Sequence, residues 1–154
     1  MTTPHHATGP ELTAAELYAI LRLRADVFVV EQECAYGDVD GRDLLPSTRH
    51  LWFTDSAGEV TAYLRVLADP DGVSRIGRVV TAASARGRGL AASLMEAALS
   101  GASGEFVLDA QTYAQRLYAR FDFVPEGEEF LDDGIPHITM RRVAKDPAQR
   151  PAAS

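Results

Sequence analysis

The chain has 154 residues, of which 46% are hydrophobic, and a formal net charge of −7; this fits one folded domain and excludes a disordered chain. The negative balance argues against binding a phosphate backbone, so no nucleic-acid partner is expected. A single cysteine, Cys34, excludes a disulfide framework and a cysteine zinc cluster; with no membrane-spanning apolar run and no signal peptide ahead of residue 13, the expectation is a cytoplasmic protein without a membrane partner.

Residues 1–10 are polar, with Pro4 and Pro10 near the ends of a short span that has room for an edge strand but is not assigned one. The expected domain runs over residues 8–144. His5 and His6 read as solvated rather than as a metal pair. Thr13-Ala14-Ala15-Glu16 fits a capping box, and Leu17, Ile20, Leu21, Arg24, Val27 and Phe28 follow helical spacing. An amphipathic helix of about four turns is predicted, with Arg22 and Arg24 fitting its wet face. Residues 31–49 have no steady period and carry Glu31, Glu33, Asp38, Asp40 and Asp43 among glycine and proline. Asp38-x-Asp40-Gly41 suggests a calcium loop, but the twelfth position holds Arg49 rather than glutamate. No metal is expected. So long a loop is functional or disordered, and these residues suit a solvated acidic loop and a substrate-facing one equally.

Strands are predicted over 50–54, 60–67 and 74–81. Asp69-Pro70-Asp71-Gly72 turns the second into the third, because proline presets φ and glycine accepts a positive one. The 60–67 strand alternates and reads as half-buried. Then come Arg86-Gly87-Arg88-Gly89 and a helix marked by Leu90, Leu94 and Leu99. Strand, glycine loop and helix make a phosphate site: the first helical turn leaves N–H groups without partners, the helix dipole is positive there, and glycine lets an anion approach the backbone. A strand over 105–110 comes after the helix and is therefore parallel to the earlier one. A short helix over 113–121 and closing strands over 123–128 and 138–143 complete the domain. Residues 145–154 read as a disordered tail.

Three phosphate loops fit parts of this stretch. A P-loop needs Gly-Lys-Ser/Thr, which is absent. Gly87-x-Gly89-x-x-Ala92, with Asp109 twenty residues beyond Gly89, matches a dinucleotide fingerprint, but residues 82–86 separate it from its strand and antiparallel strands precede it. Arg86-x-x-Gly89-x-Ala91 resembles the R/Q-x-x-G-x-G/A pyrophosphate loop of the GNAT (GCN5-related) N-acetyltransferases. Leu117-Tyr118-Ala119-Arg120-Phe121-Asp122-Phe123 resembles that family's F-Y-x-x-x-G-F, with Asp122 in place of glycine at a helix end that needs positive φ. Residues 21–44 and 132–140 are similar to the ElaA-type branch, so the likeness covers roughly residues 17–142.

The resemblance implies an α/β GNAT acyl-CoA N-acyltransferase fold: a mixed, mostly antiparallel sheet with a central splayed parallel pair and flanking helices. It implies acetyl-CoA as co-substrate. Val79, Val80 and Thr81 would hold its pantetheine arm, and Arg86, Gly87, Arg88, Gly89, Leu90, Ala91 and Ala92 its pyrophosphate. Gln111 would touch the cofactor. Tyr118 would be the general acid, since a phenol of pKa ~10 protonates a leaving thiolate of pKa ~8.5 and stays protonated at pH 7. An alkylamine acceptor costs about 4–5 kcal/mol to deprotonate at pH 7, and Glu31, His50 and His137 are candidate bases. Phe28, Glu31, Tyr36, Asp40, Asp133 and His137 are expected on the acceptor side, facing a cationic small-molecule amine or peptide, in a protein that could form a homodimer. Two alternatives stay open: a module that binds acetyl-CoA without turnover, and an enzyme like the acyl-homoserine-lactone synthases, suggested by Arg24-x-x-Val27-Phe28.

Overall fold

A computed structural model describes residues 3–33 and 37–144. Among the described residues the strands are β1 (His5–Thr8), β2 (Arg49–Thr54), β3 (Val60–Ala68), β4 (Ser74–Thr81), β5 (Phe106–Gln111), β6 (Val124–Asp132) and β7 (Ile135–Arg142). They form one sheet in the order β1-β2-β3-β4-β5-β7-β6. Within it β4 and β5 run parallel, and the other neighbours are antiparallel. Helix α1 (Ala14–Arg24) lies on one face, and α2 (Leu90–Leu99) and the short α3 (Gln115–Ala119) lie on the other.

Side-chain alternation decides which face each residue serves. Ala62, Leu64, Val66 and Ile76 pack with Leu94, Met95 and Ala98 of α2. Trp52, Tyr63 and Val80 pack with Ile20, Leu23 and Val27. Strand β3 is thus buried on both faces rather than half-buried as its alternation predicts. The sheet also begins earlier than expected. His5–Thr8 pairs with Arg49–Trp52 as an edge strand, ahead of the boundary expected at residue 8.

The capping box forms: Thr13 Oγ1 accepts from the Glu16 amide at 3.1 Å, and Glu16 Oε1 accepts from the Thr13 amide at 2.9 Å. The predicted four-turn helix is two segments, however. After Arg24 the backbone widens into a π-helix over Ala25–Glu31. A wider turn shifts the register of the side chains beyond it, and such segments gather at functional sites.

Arg24 is the main correction on this helix. It is wholly buried rather than wet. Its Nε meets Asp38 at 2.9 Å and its Nη1 meets Asp43 at 2.7 Å. Arg65, also buried, meets Asp40 at 2.5 Å and Asp43 at 3.0 Å, and Arg78 Nε meets Asp38 at 2.9 Å. The acidic loop is therefore neither a solvated loop nor a substrate-facing one in its centre. Its aspartates fold inward onto three arginines from α1, β3 and β4. Burial opposes the charge of Asp43, but the hydrogen bond and charge of Arg24 still hold its carboxyl below the usual carboxylate range. The Arg65 hydrogen bond holds Asp40 lower still.

Strand β4 is irregular on both of its edges. Its parallel pairing with β5 is limited to Ser74↔Phe106 and Arg75↔Val107, so the two strands part beyond that point. Against β3, Tyr63 pairs with Val80 and Arg65 with Gly77; two residues of β4 oppose one of β3, which is a β-bulge. Arg78 within it has φ of 54°, a conformation that costs an arginine energy. At the far edge of the sheet, β6 and β7 reach closer together than predicted. They are joined by the two-residue turn Asp133–Gly134, with φ of 49° and 78°, the positive pair that a tight hairpin requires.

Removing one partner of a buried ion pair leaves the others uncompensated. Arg24→Met is expected to destabilise the fold by about 3–5 kcal/mol at pH 7. The Asp43 carboxyl, held low by Arg24, takes up a proton more readily in its absence, so the deficit should shrink at pH 3, where that carboxyl becomes neutral. Urea unfolding at both pH values measures this.

Candidate active site

A cleft of about 570 Å³ opens where β4 and β5 separate. Val79, Val80 and Thr81 line it from β4, Gln111 from β5, and Leu117 and Tyr118 from α3. It adjoins a second cup of about 170 Å³, with Thr81, Arg86, Ala91 and Leu117 shared between them. The cup sits at the start of α2 and is lined by Gly87, Gly89, Leu90 and Ala92 as well. A 3₁₀ turn over Ala83–Ala85 fills the gap between strand and glycine loop.

The chemistry of the cup is that of an anion site. Gly87 and Gly89 have φ of 81° and 74°, and a Cβ added at either would meet no atom within 4 Å. The first requirement explains why glycine is there; the second shows that the space beside the backbone is open. No side chain caps α2 at Gly89, so the first-turn N–H groups and the positive end of the dipole face the cup. Arg120 lines it from just beyond α3. The motif in this segment points to Tyr118 and Asp122 and leaves Arg120 unmarked; its signal is its position three residues after Leu117, on the same helical face. Arg88 is the one predicted loop residue outside the cup, with its Nη2 3.4 Å from the Ser84 carbonyl.

Arg86 is engaged on both sides. Its Nε donates to the Thr81 carbonyl at 3.1 Å, and its Nη2 meets the Glu31 carboxylate at 2.5 Å. The hydrogen bond from Arg86 holds the Glu31 carboxyl below its ordinary value. This ion pair ties the end of the π-helix to the glycine loop, and both residues line the cleft.

Tyr118 is buried, and its ring meets Phe123 edge-on at 6.4 Å. Its hydroxyl makes no hydrogen bond to a described residue. Burial, with a smaller effect from Tyr113, pushes that hydroxyl above the ordinary tyrosine range, so it is a protonated donor at neutral pH. The next turn is closed by Asp122 at φ 69°, the left-handed position where the pattern it resembles has glycine; the amide of Phe123 bonds back to the Tyr118 carbonyl at 3.3 Å.

The acceptor-side predictions divide. Phe28, Glu31, Asp133 and His137 do line the cleft. His137 is half-buried, stacked on Phe130 at 5.9 Å. Its Nδ1 lies 2.7 Å from the Ile135 carbonyl. A carbonyl only accepts, so Nδ1 carries a proton, which in the neutral ring makes Nε2 the acceptor. His50 is a correction. It is wholly buried, with Nε2 donating to the Asp43 carbonyl at 2.7 Å and Nδ1 accepting from the Tyr63 hydroxyl at 2.6 Å. Burial pushes its imidazole below the ordinary histidine range; it is a neutral core residue, out of reach of any substrate. Asp40 is another, since its carboxylate is spent on Arg65 and it does not line the cleft. Tyr36 lies outside the described residues, as does Cys34. Among the described residues no cluster of histidine, cysteine and carboxylates could hold a metal, and no helix is long and apolar enough to cross a membrane.

Known proteins share this geometry. Residues 26–144 match the acetyltransferase (GNAT) domain family. UPF0039 protein Rv2851c of Mycobacterium tuberculosis is 47% identical over 92% of this chain and 93% of its own length. Protein ElaA of Escherichia coli is 40% identical over 90% of this chain and 92% of its own. The crystal structure of an acyl-CoA N-acyltransferase from Pseudomonas aeruginosa superposes with a TM-score of 0.85 at 44% identity, covering 92% of this chain and 100% of that one. The chain thus adopts the GNAT acyl-CoA N-acyltransferase fold and belongs to the GNAT acetyltransferase family, with ElaA among its relatives.

Proposed function

We propose that this protein transfers an acetyl group from acetyl-CoA directly to an amine, with donor and acceptor bound together. The observation that carries the proposal is the open β4–β5 pair leading into an uncapped helix start flanked by two arginines. The residues present suit the donor. The cup offers N–H groups, a positive dipole end, Arg86 and Arg120 to a pyrophosphate. The parted strands offer backbone groups of Val79, Val80 and Thr81 to an amide-bearing arm. When bound, acetyl-CoA supplies a thioester whose carbonyl an amine attacks: a C–N bond forms, the C–S bond breaks, and one proton passes from nitrogen to sulfur overall.

The chain's own part is to hold groups and move that proton. Tyr118 holds its proton at the phenolic oxygen, buried and without a competing partner among the described residues, where the departing sulfur can take it. Donation from a phenol of pKa ~10 to a thiolate of ~8.5 is uphill by about 2 kcal/mol in water; burial disfavours both anions and leaves the comparison similar. His137 also lines the cleft, and its contact with the Ile135 carbonyl makes Nε2 the basic atom of the neutral ring. Glu31 is held by Arg86 in the free protein. A phosphate group on Arg86 competes with Glu31 for the same guanidinium.

Calorimetry with CoA tests the donor site in two directions. Gly89→Glu puts a side chain and a negative charge in the cup and should abolish binding in a folded protein. Glu31→Gln removes the competitor for Arg86 and should tighten binding roughly two- to five-fold, the scale of an exposed pair.

Tyr118→Phe keeps the ring and removes the hydroxyl. CoA affinity should hardly change, while turnover in a mass-spectrometric assay with acetyl-CoA and an amine panel should fall roughly 10²–10⁴-fold.

A further inference from the structure

The cleft extends from Val79, Val80 and Thr81 toward the point where β4 and β5 meet, and Arg75 and Asp109 stand on its lining. Among the described residues, four arginines line this cleft. Arg65 is nearly inaccessible and held by short ion pairs; Arg78 is held on Asp38 at 2.9 Å; Arg86 belongs to the glycine loop. Arg75 differs. Its side chain is 37% exposed, and its two ion pairs, Nε to Asp69 and Nη1 to Asp109, are both 3.4 Å long, at the outer limit of a hydrogen bond. Its Nη2 makes no bond to a described residue. Each carboxylate turns Oδ2 to Arg75 and its other oxygen to a second partner. Asp69 also pairs with Arg42 at 3.2 Å, and Asp109 accepts from Thr139 Oγ1 at 2.7 Å. Arg75 is thus a guanidinium fork on the lining of the cleft, held by two long contacts, with Nη2 bonded to no described residue.

We infer that Arg75 seats a carboxylate carried by the acceptor. A planar guanidinium binds a carboxylate through two parallel hydrogen bonds. Its place along the strands sets which amine of such an acceptor reacts. Arg75 lies four residues before Val79, and Asp109 two before Gln111, so at about 3.3 Å per residue the seat is roughly 7–13 Å from the acetyl position. That span excludes an α-amino group beside its own carboxylate and selects a terminal amine at the far end of a chain. The acceptor class is an ω-amino acid or the side-chain amine of a free basic amino acid. The span rests on the acetyl position proposed above; the seat itself rests on Arg75.

The test is calorimetry of the full chain, saturated with CoA, with products of paired acceptors. The probes are 6-acetamidohexanoate, N-hexylacetamide and N-acetylglycine. The expected result is that 6-acetamidohexanoate binds about ten- to a hundred-fold more tightly than N-hexylacetamide, the scale of a charge-assisted bond, and more tightly than N-acetylglycine. Arg75→Gln should erase most of that advantage, and Arg75→Lys, which keeps the charge but not the fork, should keep part of it. Equal affinities for the two six-carbon probes, or an advantage that survives Arg75→Gln, overturn the seat. Tightest binding of N-acetylglycine overturns the span. Turnover assays separate this from the acetyltransferase reading. A protein that acetylates hexylamine and 6-aminohexanoate equally well retains the activity and lacks the seat. A protein that binds the carboxylate probes through Arg75 but acetylates no amine has the seat and lacks the activity.

Discussion

The structure depends on a broken pairing. Strands β4 and β5 pair only through Ser74–Phe106 and Arg75–Val107. Backbone groups inside a protein are normally paired, because an unpaired one forfeits its bond to water. Here the parallel pair opens onto a cleft instead. The bulge at Arg78 bends β4 away, and the left-handed φ of that residue shows that the bend costs energy. The opening places the end of β4, the start of α2 and Tyr118 around one space. A regular sheet would have no such cleft.

The opening is supported by the arginine–aspartate network behind it. Arg24, Arg65 and Arg78 come from three elements, and Asp38, Asp40 and Asp43 come from one loop. Three positive and three negative charges balance in a site largely shut off from water. Their net worth to stability is small relative to a well-packed apolar core, because desolvation offsets attraction. Their geometric effect is larger. They tie the loop to the α1 face of β3 and β4, and the bulged Arg78 is itself one of the tethered residues. We regard the network as the support that holds the bulge in place. His50 and Tyr63 extend it by two further hydrogen bonds into the core.

The features legible in the sequence were local. The Thr13–Glu16 capping box, the Asp-Pro-Asp-Gly turn and the glycine loop each carry their own chemistry within a few residues, and each forms as expected. The departure at Asp122 was legible too, because aspartate is among the few residues that accept the positive φ found there. Long-range pairing of charge was not legible. Arg24 keeps the helical spacing of Ile20 and Val27 but its charge reads as wet, and only its partners 14 and 19 residues away make burial tolerable. Distant partners also hid the roles of Asp40, whose carboxylate is taken by Arg65, and of His50, which is buried between Asp43 and Tyr63. Arg75 carries no motif as a single arginine at a strand start; its place on the cleft comes from the pairing of β4 with β5, which sets it beside Asp109, 34 residues on.

If the parted edge of β4 is where the donor's amide-bearing arm lies, its backbone amides must change on binding. Amide hydrogen exchange of the peptide covering residues 76–81, with and without acetyl-CoA, measures that change. These amides, unprotected where β5 has left them, should become strongly slowed by acetyl-CoA, and the slowing should extend to residues 87–92. Unchanged exchange over 76–81 at a saturating concentration of bound acetyl-CoA would contradict this placement of the donor.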